Sequence, residues 1–168
     1  MSSQPSEDFI IYKPPSRPSV DKLSLILYGS ISQDTTTNWQ NDLASSLSDL
    51  PIAILNPHRD DWDSSWIEDI SFPKFKEQVE WEMDYAKVAD IIVFYFGATT
   101  LAPISLLELG MYAGTGKVVV CCEKEFKKKG NVQMVCHRYD IPLMYSLDEL
   151  KEKVRQKVVD KLKDSARV

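Results

Sequence analysis

Two apolar runs, Ile91 to Phe96 and Lys117 to Cys122, constrain this chain more than any other feature. Each is far too short to span a bilayer and too uniformly apolar for a half-exposed strand, so each reads as a strand buried on both faces. Between them lie a small-residue loop and a short helix, expected from Leu106 to about Ala113. Strand, loop, helix, strand is the repeating unit of a parallel sheet. Other segments follow the same plan: Leu23 to Tyr28, Ile52 to Leu55 and Pro142 to Tyr145 read as further strands. Trp39, Leu43 and Leu47 give a first helix one apolar stripe, and Pro51 stops it. Pro73 to Val88 reads as a second helix, and Leu147, Leu150, Val154, Val158 and Leu162 mark the last.

Together these elements predict an α/β fold: a doubly wound five-stranded parallel sheet in the flavodoxin-like order 2-1-3-4-5. Its switch point falls between strands one and three, near Gly29 and Gly97. Residues 1–20, rich in Ser and Pro, are expected to form an extended N-terminal arm outside the core, and residues 21–168 the domain. At 168 residues and 43% hydrophobic, the chain suffices for one sizeable core. A net charge of −5 argues against a nucleic-acid polymer as partner and leaves a small molecule or a protein. Cys121, Cys122 and Cys136 are odd in number and lie in apolar surroundings, so they read as reduced core thiols. No zinc-ligand spacing is present, and neither a metal nor a cofactor is expected. No apolar run approaches about 18 residues and no leader pattern opens the chain, which suggests a cytoplasmic protein, the nucleus remaining open.

In open parallel sheets ligands bind where loops leave the carboxyl ends of strands. Gly29-Ser30-Ile31-Ser32 leaves the first strand, and a glycine there permits close approach of backbone to ligand. After the third strand, Glu108 is a lone carboxylate among Ile104, Leu106, Leu107 and Leu109. Ser105-x-x-Glu108 also spells a capping box, in which the glutamate serves the helix start; Ser146-x-x-Glu149 is a second copy. The two readings of Glu108, cap or chemistry, both stand at this point. The segment from Asn56 to Trp66 holds Arg59, Asp60, Asp61 and Trp62, either as a solvated turn or, as its tryptophans favour, facing a flat ligand. On the second helix Phe75, Val79, Met83 and Ala86 form the expected inward stripe at about 100° per residue, and Glu82 projects with them. Glu123 to Gly130 reads as a solvated, lysine-rich loop.

There is no G-x-G-x-x-G after a strand, no Walker-type loop and no G-x-S-x-G elbow, and the third strand ends FYFG without a phospho-acceptor aspartate. LILYGSIS (25–32), LNPHRDDWDSSW (55–66), QVEWEMDYAKVADIIVFYF (78–96) and ISLLELG (104–110), in that order, resemble the nucleoside 2-deoxyribosyltransferase family and its deoxynucleoside-monophosphate hydrolase relatives. The resemblance covers about Leu23 to Tyr145. It implies that Glu108 is a carboxylate nucleophile and that Glu82, eight positions before Asp90, positions the substrate or its leaving base. Members commonly have aspartate at the Glu82 position. The substrate contacts implied are Gly29, Ser30, Ile31, Gly97 and Ser105, with Arg59, Asp60, Asp61 and Trp62 of a distinct loop. A family tyrosine on the first strand falls on Ile26, and Tyr28 is expected on the other face. The implied reaction is N-glycosidic cleavage of (deoxy)nucleosides or their monophosphates through a covalent intermediate, ending in transfer to a base or to water, in a homo-oligomer, most simply a dimer. Trp81 and Tyr85 are read as widening the apolar surface for that association, or as packing under the arm. The alternative is a non-catalytic nucleoside- or nucleotide-binding module on the same fold; a flavin-binding protein is the third reading.

Overall fold

The strands form because β-branched and aromatic residues are concentrated in short runs that find partners on both sides. In the computed structural model, which describes residues 4–31 and 38–167, they are β1 (Ile10–Tyr12), β2 (Ser24–Gly29), β3 (Ala53–Leu55), β4 (Ile91–Phe96), β5 (Val118–Cys122) and β6 (Leu143–Met144). They make one all-parallel sheet in the order β1-β3-β2-β4-β5-β6. Count and order therefore differ from the five strands expected. The extra strand comes from the arm: Ile10 to Tyr12 pairs with Ala53 to Leu55, because β3 would otherwise be an open edge. Within the sheet β2 still lies between β3 and β4, so the strand order reverses between β2 and β4.

Alternation along the strands divides the core in two. Leu25, Leu27, Val119 and Cys121 face α1 (Trp39–Ser46) and α5 (Leu147–Ser165), meeting Leu43, Leu47, Leu150 and Val154. Ile26, Tyr28, Phe94 and Cys122 face the other way, toward α2 (Pro73–Val88), α3 (Pro103–Tyr112) and α4 (Lys129–Arg138), meeting Trp81, Leu109 and Cys136. The three cysteines are free and buried. Each fully buried large side chain contributes about 1.5–3 kcal/mol. No helix among the described residues is long and apolar enough to cross a membrane.

Two expectations change here. The stretch read as a lysine-rich loop is a turn anchored by buried Phe126, and α4 begins within it at Lys129. The inward face of α2 is centred on Gln78, Trp81, Tyr85 and Ala86, whereas Met83 is exposed and Phe75 and Val79 only partly covered. The arm accounts for the rotation: Ser16 accepts a hydrogen bond from Trp81 Nε1 at 2.7 Å and Pro18 from the Tyr85 hydroxyl at 2.8 Å. Trp81 and Tyr85 thus pack under the arm and do not widen an exposed surface.

Candidate functional site

Glu108 is six residues into α3, which begins at Pro103, a residue suited to the first helical position because it has no N–H to leave unpaired. The cap residue is Ala102, in left-handed conformation (φ 42°). Ser105 is therefore the third helical residue and not an N-cap, and Glu108 stands beyond the first turn, where helix-start amides need partners. The capping role falls away. The other copy of the motif does cap: Ser146 Oγ accepts from the Glu149 amide at 3.3 Å, and Glu149 Oε2 accepts from the Tyr145 amide at 2.9 Å. Stabilisation of an ionised carboxylate by the helix dipole is confined to the first turn and fades at the position of Glu108. Burial dominates instead, and together with nearby Glu82 it pushes the Glu108 carboxyl up to about 8.

Glu82 lies on the buried flank of α2, partly covered, between Gln78 and Ala86 on the helical wheel. Burial raises its carboxyl above the ordinary range, opposed by a 2.8 Å hydrogen bond from Gln78 Nε2. The same nitrogen donates to the Pro57 carbonyl at 2.8 Å, which ties α2 to the segment after β3.

Two tyrosines complete the cluster. Tyr28 is two residues from Ile26 and so shares its face; the expectation that it points away is wrong, because strand side chains repeat every second residue. Its hydroxyl donates to the Glu82 carbonyl at 2.6 Å, and its ring stacks on Tyr112 at 5.9 Å and 7°. Burial first, then Tyr112, Glu108 and Glu82, drive the Tyr28 phenol far above its usual range; burial raises Tyr112 likewise. Ser105, Glu108 and Tyr112 follow i, i+3, i+7 spacing and line one side of α3, as Gln78 and Glu82 do on α2. Tyr112 and Gln78 went unnoticed in the sequence, although each stands four residues from a carboxylate already singled out.

The loops at the switch point are locked to one another. Gly29 has φ 145°, and a Cβ there would lie 2.1 Å from the Tyr95 carbonyl oxygen, so the close approach it permits is to β4 and not to a ligand. Buried Ser30 accepts from the Gly97 amide at 2.8 Å and bonds the Thr100 hydroxyl. A Cβ on Gly97 would meet the Tyr95 ring at 3.3 Å. Glu123, unremarked in the sequence, holds the same loop by accepting from the Tyr95 hydroxyl at 2.5 Å and the Ala98 amide at 2.7 Å. Ile31 is exposed at the rim, and Ser32 of the same motif lies outside the described residues.

The segment from Asn56 to Phe72 is neither a plain solvated turn nor an open ligand grip. Arg59, its side chain 4% exposed, pairs with Asp61 at 2.6 Å and with Glu77 of α2 at 3.1 Å. It also lies 5.1 Å from the Trp66 ring centre, and Trp66 packs against Trp62 and Phe72. Asp60 turns to Lys13 of the arm at 2.9 Å. Arg59, Asp60 and Asp61 are thus engaged with one another's neighbours, while Trp62 keeps an exposed face. Two surface clefts lie elsewhere, one at the amino ends of the strands beside Asp90 and Lys161, the other beside His137 and Tyr145. Neither includes the paired carboxyls, which are identified by their chemistry rather than by an enclosed cavity.

The arrangement offers two carboxyl groups that burial holds above the ordinary range, Glu108 raised further by Glu82. A search of curated proteins finds no match to the chain. The family model described as nucleoside 2-deoxyribosyltransferase like matches residues 22–126, a stretch running from β2 through β5 and including both carboxylates.

Proposed function

Because the chain belongs to the nucleoside 2-deoxyribosyltransferase-like family, we propose that it cleaves the N-glycosidic bond of (deoxy)nucleosides or their monophosphates, with Glu108 as nucleophile. The observation that carries this reading is the position of Glu108: partly buried, beyond the reach of any cap and electrostatically coupled to Glu82. A Glu108 carboxylate oxygen bonds the anomeric carbon as the bond to the base nitrogen breaks, its electron pair leaving with the base. Glu82, kept protonatable by burial, supplies the proton to that base. The oxocarbenium-like charge of the transition state favours ionised Glu108 at that moment, and a second base or water then releases the sugar. Tyr28 fixes α2 through its bond to the Glu82 carbonyl and presents its phenol beside Glu108.

Ser30, Gly29 and Gly97 shape the floor of the site, and Ser105 lies on the Glu108 side of α3. The binding-only alternative drew on the lack of a strand tyrosine; Tyr28 on the site face removes that support. The same reading includes a homo-oligomer, since Met83 of α2 and Ile104, Leu107 and Met111 of α3 are exposed beside Glu82 and Glu108, and a cytoplasmic setting. The test is incubation of purified protein with 2′-deoxynucleosides or their 5′-monophosphates, with and without a second base, followed by chromatography. Release of free base is expected, with a new nucleoside when transfer operates; intact substrate throughout would refute the proposal.

A further inference from the structure

Gln78 is 6% exposed, and its side-chain oxygen has no hydrogen-bond partner among the described residues. Both hydrogens of its amide nitrogen are committed, one to the Pro57 carbonyl and one to Glu82 Oε1, each at 2.8 Å. This fixes which way the amide points. Turning it over would set its oxygen against the Pro57 carbonyl, which has no hydrogen to offer, and would give up both bonds for at most one from a protonated Glu82. Buried polar groups in folded proteins are satisfied with few exceptions, and an exception beside a reactive group calls for an explanation. The orphan is an acceptor only, and it is bonded through its own amide to the carboxyl proposed to serve the leaving base.

We infer that Gln78 reads the nucleobase, its side-chain oxygen accepting a hydrogen bond from an exocyclic amino group, so that the site takes amino bases in preference to their oxo counterparts. An amino group donates to Gln78 Oε1, with its second hydrogen available to the other oxygen of Glu82. An oxo group in the same place sets oxygen against oxygen, with the locked amide unable to rotate and offer a donor instead. Discrimination of this kind is strong because the wrong ligand leaves the buried group unpaired. Entry of the base beside Gln78 Oε1 requires the segment from Pro57 to shift while the amide keeps its bonds to Pro57 and Glu82.

The inference rests on the proposed function but is read without turnover. Adenine and hypoxanthine, which differ by amino against oxo at one ring position and by the hydrogen that hypoxanthine carries on the adjacent ring nitrogen, are titrated calorimetrically into the full chain. Adenine is expected to bind at least about tenfold more tightly. In Gln78→Met, which keeps the length and removes the acceptor, the ratio should fall below about threefold. Equal affinities in the unaltered protein, no binding of either base at millimolar concentration, or an undiminished ratio in a folded variant would each overturn the inference. Should Gln78→Met fail to fold, the ratio in the unaltered protein decides alone. Chromatography of 2′-deoxyadenosine and 2′-deoxyinosine in parallel separates the two readings: adenine preference without any turnover sinks the glycosidic reaction and supports base recognition, whereas turnover of both at equal efficiency sinks only the role of Gln78.

Discussion

Glu108, the proposed nucleophile, gives stability away through its burial, and the pH dependence of folding exposes this. Its carboxyl is raised from 4.5 to about 8. Between those values the unfolded chain has lost the proton that the folded chain retains, so stability falls as pH rises from about 5 toward 8 and levels off above. In Glu108→Gln that decline should flatten, seen in denaturant midpoints taken across the range. The same substitution should lower turnover by orders of magnitude; retention of normal turnover would show that the carboxylate is not the nucleophile. Tyr28→Phe keeps the ring packing against Phe94 and Tyr112 but removes the donor to the Glu82 carbonyl. A cost of about 1 kcal/mol in stability is expected, with turnover reduced more than the substrate's affinity. Glu82 and Glu108 were legible in the sequence, one from its place among apolar positions of a helix, the other from its place after a buried strand. Tyr28 was equally legible and was misplaced by a parity error, since positions 26 and 28 of a strand necessarily share a face.

At the scale of elements the instructive case is the start of α3. Ser105-x-x-Glu108 and Pro103 signal helix starts at Leu106 and Pro103, three residues apart, and local pattern has no means of ranking them. Packing decides: starting at Pro103 buries Ser105 and Leu109 and leaves Glu108 partly buried, where Glu82 helps to raise its carboxyl. The choice leaves Ala102 at φ 42°, a left-handed conformation that costs a residue with a Cβ about 1–2 kcal/mol. Ala102→Gly should therefore stabilise the chain by about 0.5–1 kcal/mol, the relief exceeding the added entropy of an unfolded glycine. A higher urea midpoint with unchanged slope is the expected result, and a lower one would place the strain elsewhere. The N-terminal arm shows the opposite limit. Three residues between prolines carry too little pattern to announce a strand, and β1 exists only because β3 offers an edge.

At the scale of the molecule the parallel core was readable because buried strands and amphipathic helices alternate, whereas the surface of α2 was not, since nothing local says that an arm will cover Trp81 and Tyr85. That cover has a consequence for assembly. It removes the two aromatics from any interface and leaves a different set of apolar side chains outside: Met83 on α2 and Ile104, Leu107 and Met111 on α3, flanking the two carboxyls. A second copy related by a two-fold axis would lay these helices against their own equivalents, as isologous contacts require. A stable dimer buries about 1,200–2,000 Å² in total. Sedimentation at micromolar concentration should then give twice the 19.2 kDa of one chain. Leu107→Asp, which places a charge at the centre of that contact, should shift the protein to the single-chain mass and lower turnover with it, because the carboxyls beside the interface would become solvated. An active protein at the single-chain mass would show instead that one chain completes its own site, and the exposed side chains of α3 would need another explanation.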